Sequence, residues 1–267
     1  MRRVILLVAM IALGAVTAAH AQDATTCPAP DNRSWVQGDG ECLHIRTFTR
    51  DVTDPNPVLM VFLHGDKSSG APLGWELNYP QQFMTPKIAA VALVRPGYPT
   101  EGGAKSSGNS AREDHYTDNN ITSLAGALRR LKEHHKARKL ILVGYSGGSA
   151  TTGVILGKFP NLADGAILLA CPCNVVDWRN SGGKRAWSRS LSPSDFTGAV
   201  PTGAQVLALT GNRDTNTGEK LARDYVAKLT ARGVSASYRG ATEADHDTIP
   251  NRPDVIAAIK DFLASIP

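Results

Sequence analysis

The sequence predicts an α/β fold: a mostly parallel, doubly wound sheet flanked by helices, with at most a small cap. Three observations predict it. Unbroken runs of Val, Ile, Leu and Ala recur along the 267 residues, as strands covered on both faces require. Segments with apolar residues at three- and four-residue spacing lie between those runs, so helices alternate with strands and the crossovers are right-handed. No internal repeat and no Pro/Ser-rich linker divides the chain. With 42% hydrophobic and 20% charged residues, the core fills without metal or disulfide staples.

Met1–Ala21 opens on Arg2 and Arg3, continues as an apolar run from Val4 to Ala19, and ends in Ala19-His20-Ala21 before Gln22. That is the layout of a secretory signal with a small-x-small cleavage site. The run is short for a permanent span of about 20 apolar residues. Nothing later reaches spanning length, so a soluble, periplasmic or secreted product without a stable membrane anchor is expected. Residues 22–42 form a Pro/Gly-rich lead-in to a domain at 43–267.

Four cysteines suit an oxidising compartment. A Cys27–Cys42 bridge is the favoured pairing and would contribute roughly 3 kcal/mol in the chain-entropy model. The pairing of Cys171 and Cys173 stays open, and no second Cys or His pair sits at zinc-finger spacing.

Along the domain, 43–50 alternates as a peripheral strand does. Val58–Leu63 and Ile88–Val94 are continuous apolar runs, and Ile121, Leu124, Ala125, Leu128 and Leu131 mark a helix. Further runs follow at Leu140–Val143, Ala166–Ala170 and Val206–Leu209. Residues 175–203, with Trp178 and Trp187, are either a small cap or a long surface loop. A second peripheral strand is expected at 235–240. Val255, Ile256, Ile259, Phe262 and Leu263 mark the last helix.

Charge excludes one class of function. The 29 basic and 24 acidic residues give +5, and loss of Arg2 and Arg3 with the leader leaves +3. The base-rich stretch 129–139 reads as the solvated face and end of a helix, where cations complement the helix dipole. Nucleic-acid binding would need basic residues interleaved with aromatic platforms, and none is expected.

The chemistry concentrates at Gly144-Tyr145-Ser146-Gly147-Gly148, which follows a buried-type strand and precedes a small-residue helix. This is G-x-S-x-G in the context that a nucleophilic serine requires. The sharp strand-to-helix turn demands small residues two before and two after the serine. The helix start offers free N–H groups to a developing oxyanion, with Gly147 as the first donor. A serine hydroxyl also needs a base to take its proton and an acid to orient that base. Asp214 follows the strand Val206–Leu209, and His246 lies in a loop before the last helix. Both positions suit the carboxyl ends of strands in an open sheet.

A metal-dependent hydrolase is the rival for Asp245-His246-Asp247. Yet there is no H-E-x-x-H, no EF-hand loop and no phosphate-binding glycine loop, so neither a metal nor a cofactor is expected.

His64-Gly65-Asp66 follows Val58–Leu63. Together with the Gly144–Gly148 elbow, Asp214 and His246, this order resembles the α/β-hydrolase superfamily over roughly residues 43 to 265. The resemblance implies catalytic Ser146, Asp214 and His246, and an oxyanion hole from the N–H groups of Gly147 and Asp66. The Asp66 carboxylate must then point away or be offset, with Lys67 the adjacent cation. His64 is similar to the family's loop-shaping histidine. Arg95–Ser110 is similar to the loop that walls the family's pocket, and Tyr98 and Tyr145 are candidate substrate contacts, with packing the alternative for each.

The implied activity is hydrolysis of a small-molecule acyl ester. A small peptidase of the prolyl-oligopeptidase-like type, acting on short peptides, is the second reading. A catalytically silent binding protein that keeps the hydrolase shell is the third.

Overall fold

The computed structural model describes residue 27 and residues 29–109 and 113–267; the leader read at 1–21 lies outside them. Eight strands form one sheet among the described residues. They are β1 (Trp35–Gln37), β2 (Cys42–Phe48), β3 (Val58–Leu63), β4 (Ile88–Leu93), β5 (Lys139–Tyr145), β6 (Gly165–Leu169), β7 (Gln205–Gly211) and β8 (Ser235–Ala241). Their order is β1-β2-β4-β3-β5-β6-β7-β8. The pairings β1·β2 and β2·β4 are antiparallel, and every pairing from β4 to β8 is parallel.

Among the described residues five α-helices accompany the sheet: α1 (Asp118–His134), α2 (Gly147–Lys158), α3 (Val175–Ser181), α4 (Glu219–Thr230) and α5 (Pro253–Ala264). Successive strand side chains point to opposite faces, so each run feeds two cores. Leu59, Val61, Leu142, Leu168 and Val206 pack with α1, α2 and α4. Met60, Phe62, Ile141, Ile167 and Leu207 pack with α5 and with the 3-10 segment Tyr79–Phe83. This explains why β3 and β4 are buried along their full length and read as unbroken apolar runs.

Helix α4 is not among the segments read from the sequence, and β1 lies inside the lead-in at 22–42. The 175–203 segment contains α3 and two 3-10 turns, Pro193–Asp195 and Thr197–Ala199. The base-rich stretch 129–139 spans the end of α1. Its cations pair with acids: Arg130 with Asp39, Lys132 and Lys139 with Asp164, and Arg138 with Asp54.

Both cysteine pairs are bridged, Cys27 to Cys42 and Cys171 to Cys173. No helix among the described residues is long and apolar enough to cross a membrane.

The chain leaves β3 toward β4 on one side and returns to β5 on the other. The connections leaving the carboxyl ends of the paired strands β3 and β5 therefore run in opposite directions, the switch point where open α/β sheets form a ligand crevice.

Candidate functional site

Strand β5 pairs with β3 at Leu63↔Gly144 and with β6 at Tyr145↔Leu169, so the next residue emerges at the sheet's carboxyl rim. That residue is Ser146, with φ 52° and ψ −118°. A non-glycine residue holds this backbone only where its surroundings over-determine it. They do so here: the Ser146 N–H donates to Leu169 O at 2.9 Å, and the Ser146 carbonyl accepts from the N–H groups of Ser149 and Ala150. A Cβ on Gly144 would fall 2.5 Å from Gly148 O, and one on Gly148 would fall 2.0 Å from Leu63 O. Glycine at both positions is thus a packing requirement of the turn.

Two loops from the far half of the sheet meet this serine. Asp214 follows β7, and His246 follows β8. His246 Nε2 lies 3.0 Å from Ser146 Oγ, and His246 Nδ1 lies 2.9 Å from Asp214 Oδ2. With Nδ1–H donating to the carboxylate, Nε2 is left as an acceptor for the serine hydroxyl.

The Asp214 side chain is fully buried. Its Oδ1 accepts from the N–H groups of Asn216 and Thr217, and its Oδ2 accepts from Thr217 Oγ1 at 2.8 Å. Burial alone would raise this carboxyl, but the His246 contact and the Thr217 bonds outweigh it and hold it below its ordinary value. Asp245, part of the rival metal cluster, instead closes a turn by accepting from the N–H groups of Asp247 and Thr248.

No protein-family model and no curated protein matches the sequence. Solved structures do resemble it. Est1E from Butyrivibrio proteoclasticus, with ferulic acid bound, superposes with a TM-score of 0.68 at 15% identity, covering 86% of this chain and 97% of that one. The Pyrococcus furiosus esterase Pf2001 gives a TM-score of 0.66 at 13% identity, covering 86% and 89%. The Pyrococcus horikoshii acylaminoacyl peptidase gives 0.65 at 12% identity, with 86% of this chain matched to 40% of the peptidase. The chain has the α/β-hydrolase fold.

In this hydrolase fold the loop after β3 faces the start of α2. His64 is buried; its Nε2 accepts from the Arg95 N–H at 3.0 Å, and its Nδ1 lies 2.7 Å from Gly65 O. Burial and then the Arg95 charge push the imidazole well below its ordinary value, so it serves as a neutral strut between the ends of β3 and β4. The N–H groups of Gly147 and Asp66 hydrogen-bond to no other described residue.

The Asp66 carboxylate does not point away. A Cβ on Gly147 would lie 2.3 Å from its Oδ1. It is offset by Arg95, whose Nη1 stands 2.8 Å from Oδ1, rather than by Lys67, which pairs with Glu76 at 2.5 Å.

The two tyrosines read as either substrate contacts or packing differ in their surroundings. Tyr98 is buried, and its hydroxyl donates to Asp66 Oδ1, so it supports the loop from within. Tyr145 donates its hydroxyl to the His246 carbonyl at 2.9 Å, and its ring lies 5.5 Å from the imidazole. Burial, then the charges of Asp247 and Asp214, raises this phenol and keeps it a donor. Tyr145 therefore steadies the histidine loop.

Residues that the sequence reading missed are Thr217, Arg95 and Tyr116. Tyr116 donates to Asp66 Oδ2 at 2.6 Å, and its ring meets the Trp187 ring edge-on at 5.4 Å. Trp178 stacks edge-on against Trp187, and its Nε1–H donates to Asn216, two residues past Asp214. The 175–203 segment thus reaches the acid loop at Asn216 and the Asp66 cluster at Tyr116 through its tryptophans. Only Thr217 had a local signal, a hydroxyl three positions after a candidate acid.

Proposed function

We propose that the protein is an exported serine hydrolase that cleaves a carboxylic ester through an acyl-enzyme on Ser146. The observation that carries this reading is the continuous hydrogen-bonded line Ser146 Oγ, His246 Nε2, His246 Nδ1, Asp214 Oδ2. In the reaction, Ser146 Oγ adds to the acyl carbonyl while His246 Nε2 takes its proton, and Asp214 stabilises the imidazolium. The carbonyl oxygen becomes an oxyanion facing the N–H groups of Gly147 and Asp66. Collapse breaks the C–O bond to the alcohol, which leaves with the proton from His246. Water then adds to the acyl-serine with His246 as base, releasing the acid and restoring Ser146.

Similarity to nearly all of Est1E and of esterase Pf2001 favours an ester over an amide. The exposed Trp75, whose ring stands 6.3 Å from that of Tyr145, offers an apolar face beside that tyrosine. An ester with an aromatic or other apolar portion suits that rim. The peptidase match supports short-peptide cleavage as the second reading. Two bridged cysteine pairs support export.

The test is a fluorophosphonate followed by peptide mapping, together with a panel of short acyl esters and aminoacyl amides. Adduct on Ser146, its loss in Ser146→Ala, and a fall of several orders of magnitude in ester turnover are expected. Label elsewhere, or none, rejects the enzyme reading; faster amide turnover reverses the order of the two substrate classes.

A further inference from the structure

The loop after β3 brings an anion to the place where an oxyanion has to form. A bare carboxylate against the first residue of α2 would oppose negative charge on the reacting oxygen. The molecule instead encloses it. Arg95 Nη1 donates to Asp66 Oδ1 at 2.8 Å, Tyr98 OH donates to the same oxygen at 3.2 Å, and Tyr116 OH donates to Oδ2 at 2.6 Å. All three donors belong to side chains that are essentially fully buried. Arg95 also lies over the rings of Tyr98 and Tyr116, at 5.2 Å and 5.5 Å from their centroids. The same arginine holds the other end of the loop. Its Nη1 donates to His64 O at 3.1 Å and its backbone N–H to His64 Nε2.

We propose that Arg95 and Tyr116 are positioning residues for the oxyanion hole: they neutralise the Asp66 carboxylate and clamp it over the start of α2, which fixes the direction of the Asp66 N–H. The inference rests on Ser146 being the nucleophile. Neither residue touches the substrate. Their effect passes through Asp66, and for Tyr116 it extends to the 175–203 segment by way of Trp187.

Two features separate this clamp from ordinary packing. The charge on Asp66 is harmful only when it is unpaired, so the loss caused by removing Arg95 is reversed by removing the carboxylate as well. The clamp also acts on the transition state, so kcat falls while KM holds.

Steady-state ester kinetics and the rate of fluorophosphonate labelling at Ser146 would be measured for Tyr116→Phe, Arg95→Met and Arg95→Met/Asp66→Asn. Tyr116→Phe, which deletes one hydroxyl, should lower kcat and the labelling rate about tenfold with KM within about twofold; a whole oxyanion donor is worth about 10²–10³ in kcat. Arg95→Met should lose about 10²–10³-fold, and the added Asp66→Asn should recover at least about tenfold of that.

A Tyr116→Phe enzyme with wild-type kcat and labelling rate overturns the clamp, as does a double variant no better than Arg95→Met. Should near-ultraviolet circular dichroism show Arg95→Met unfolded, Tyr116→Phe alone decides. A wild-type protein unlabelled at Ser146 sinks both this inference and the hydrolase reading, whereas a labelled wild type with unaffected variants sinks the clamp alone.

Discussion

Gly148→Ala adds one methyl group at the point where α2 touches the sheet. Its Cβ would stand 2.0 Å from Leu63 O and 2.5 Å from His64 O, and real Cβ contacts do not fall below 3.0 Å. Both obstacles are backbone carbonyls at the buried end of β3, so no side chain can swing aside. The start of α2 has to retreat by about 1 Å. Ser146 caps that helix, and His246 Nε2 is 3.0 Å from its hydroxyl, so a retreat of that size opens the contact beyond hydrogen-bonding range. Misplacement by about 1 Å costs about 10²-fold in rate, and overpacking costs about 1–3 kcal/mol of stability. For a domain of this size that means a Tm lower by several degrees. The assays are kcat/KM on a short acyl ester and calorimetric Tm, with Gly198→Ala as control, because nothing lies within 4 Å of a Cβ placed there. A Gly148→Ala enzyme within about threefold of wild-type kcat/KM would refute the argument that this contact sets the serine's position.

Two further outcomes follow from the acid loop. Thr217→Val keeps the shape of a fully buried side chain but deletes the hydroxyl that donates to Asp214 Oδ2. Urea unfolding should show a loss of about 1–2 kcal/mol, and kcat should fall up to about tenfold at constant KM; unchanged kcat would remove Thr217 from the orienting group. The Asp214 carboxyl is held below its ordinary value, so its stabilisation is complete above the unfolded-state pKa of about 3.9 and is lost as pH falls through the lower folded value. The stability gap between wild type and Asp214→Asn should therefore be constant near neutrality and shrink below about pH 4. A gap that widens on acidification contradicts the assigned direction.

Strands were legible in the sequence wherever both faces of the sheet are covered. β3 and β4 run within one residue of the apolar stretches that mark them, because every position there is buried. β5 extends past Val143 to Tyr145 since Gly144 and Tyr145 still pair with β6, a fact that depends on the neighbouring strand and leaves no hydrophobic trace. Helix α4 did carry a signal. Its buried Ala222, Tyr225, Val226 and Leu229 follow helical spacing, but the charged residues between them dilute the stripe. Three-residue β1 is too short for alternation to register, and it exists only through pairing with β2.

At the site, the order of Ser146, Asp214 and His246 was readable because each sits at a strand end with recognisable turn residues around it. Their support was not. Apart from Thr217, three positions after the Asp214 carboxylate it donates to, the supporting groups are distant: Arg95 and Tyr116 act on Asp66 across 29 and 50 positions. Contacts of that range are created by the fold. For Tyr98, where substrate contact and packing were both open, the fold takes the packing alternative: the ring is buried and its hydroxyl donates to Asp66 Oδ1, a partner 32 positions away.

Asp66, against the start of α2, and Asp214, behind His246, have the same chemistry and opposite surroundings. Asp66 meets a guanidinium and two phenols, so it reaches the helix start with its charge already cancelled. Asp214 meets a hydroxyl, two backbone N–H groups and one imidazole, and His246 is its ion-pair partner among the described residues. Its charge is therefore available when the imidazole takes a proton. Exchanging these surroundings would defeat the proposed reaction twice over. A charge-cancelled Asp214 would no longer favour the imidazolium, and a bare Asp66 would repel the oxyanion. The division of labour resides in Arg95, which sits at the carboxyl end of β4 and can reach the β3 loop but not the β7 loop across the intervening strands. The strand order that creates the crevice thus also decides which carboxylate is neutralised.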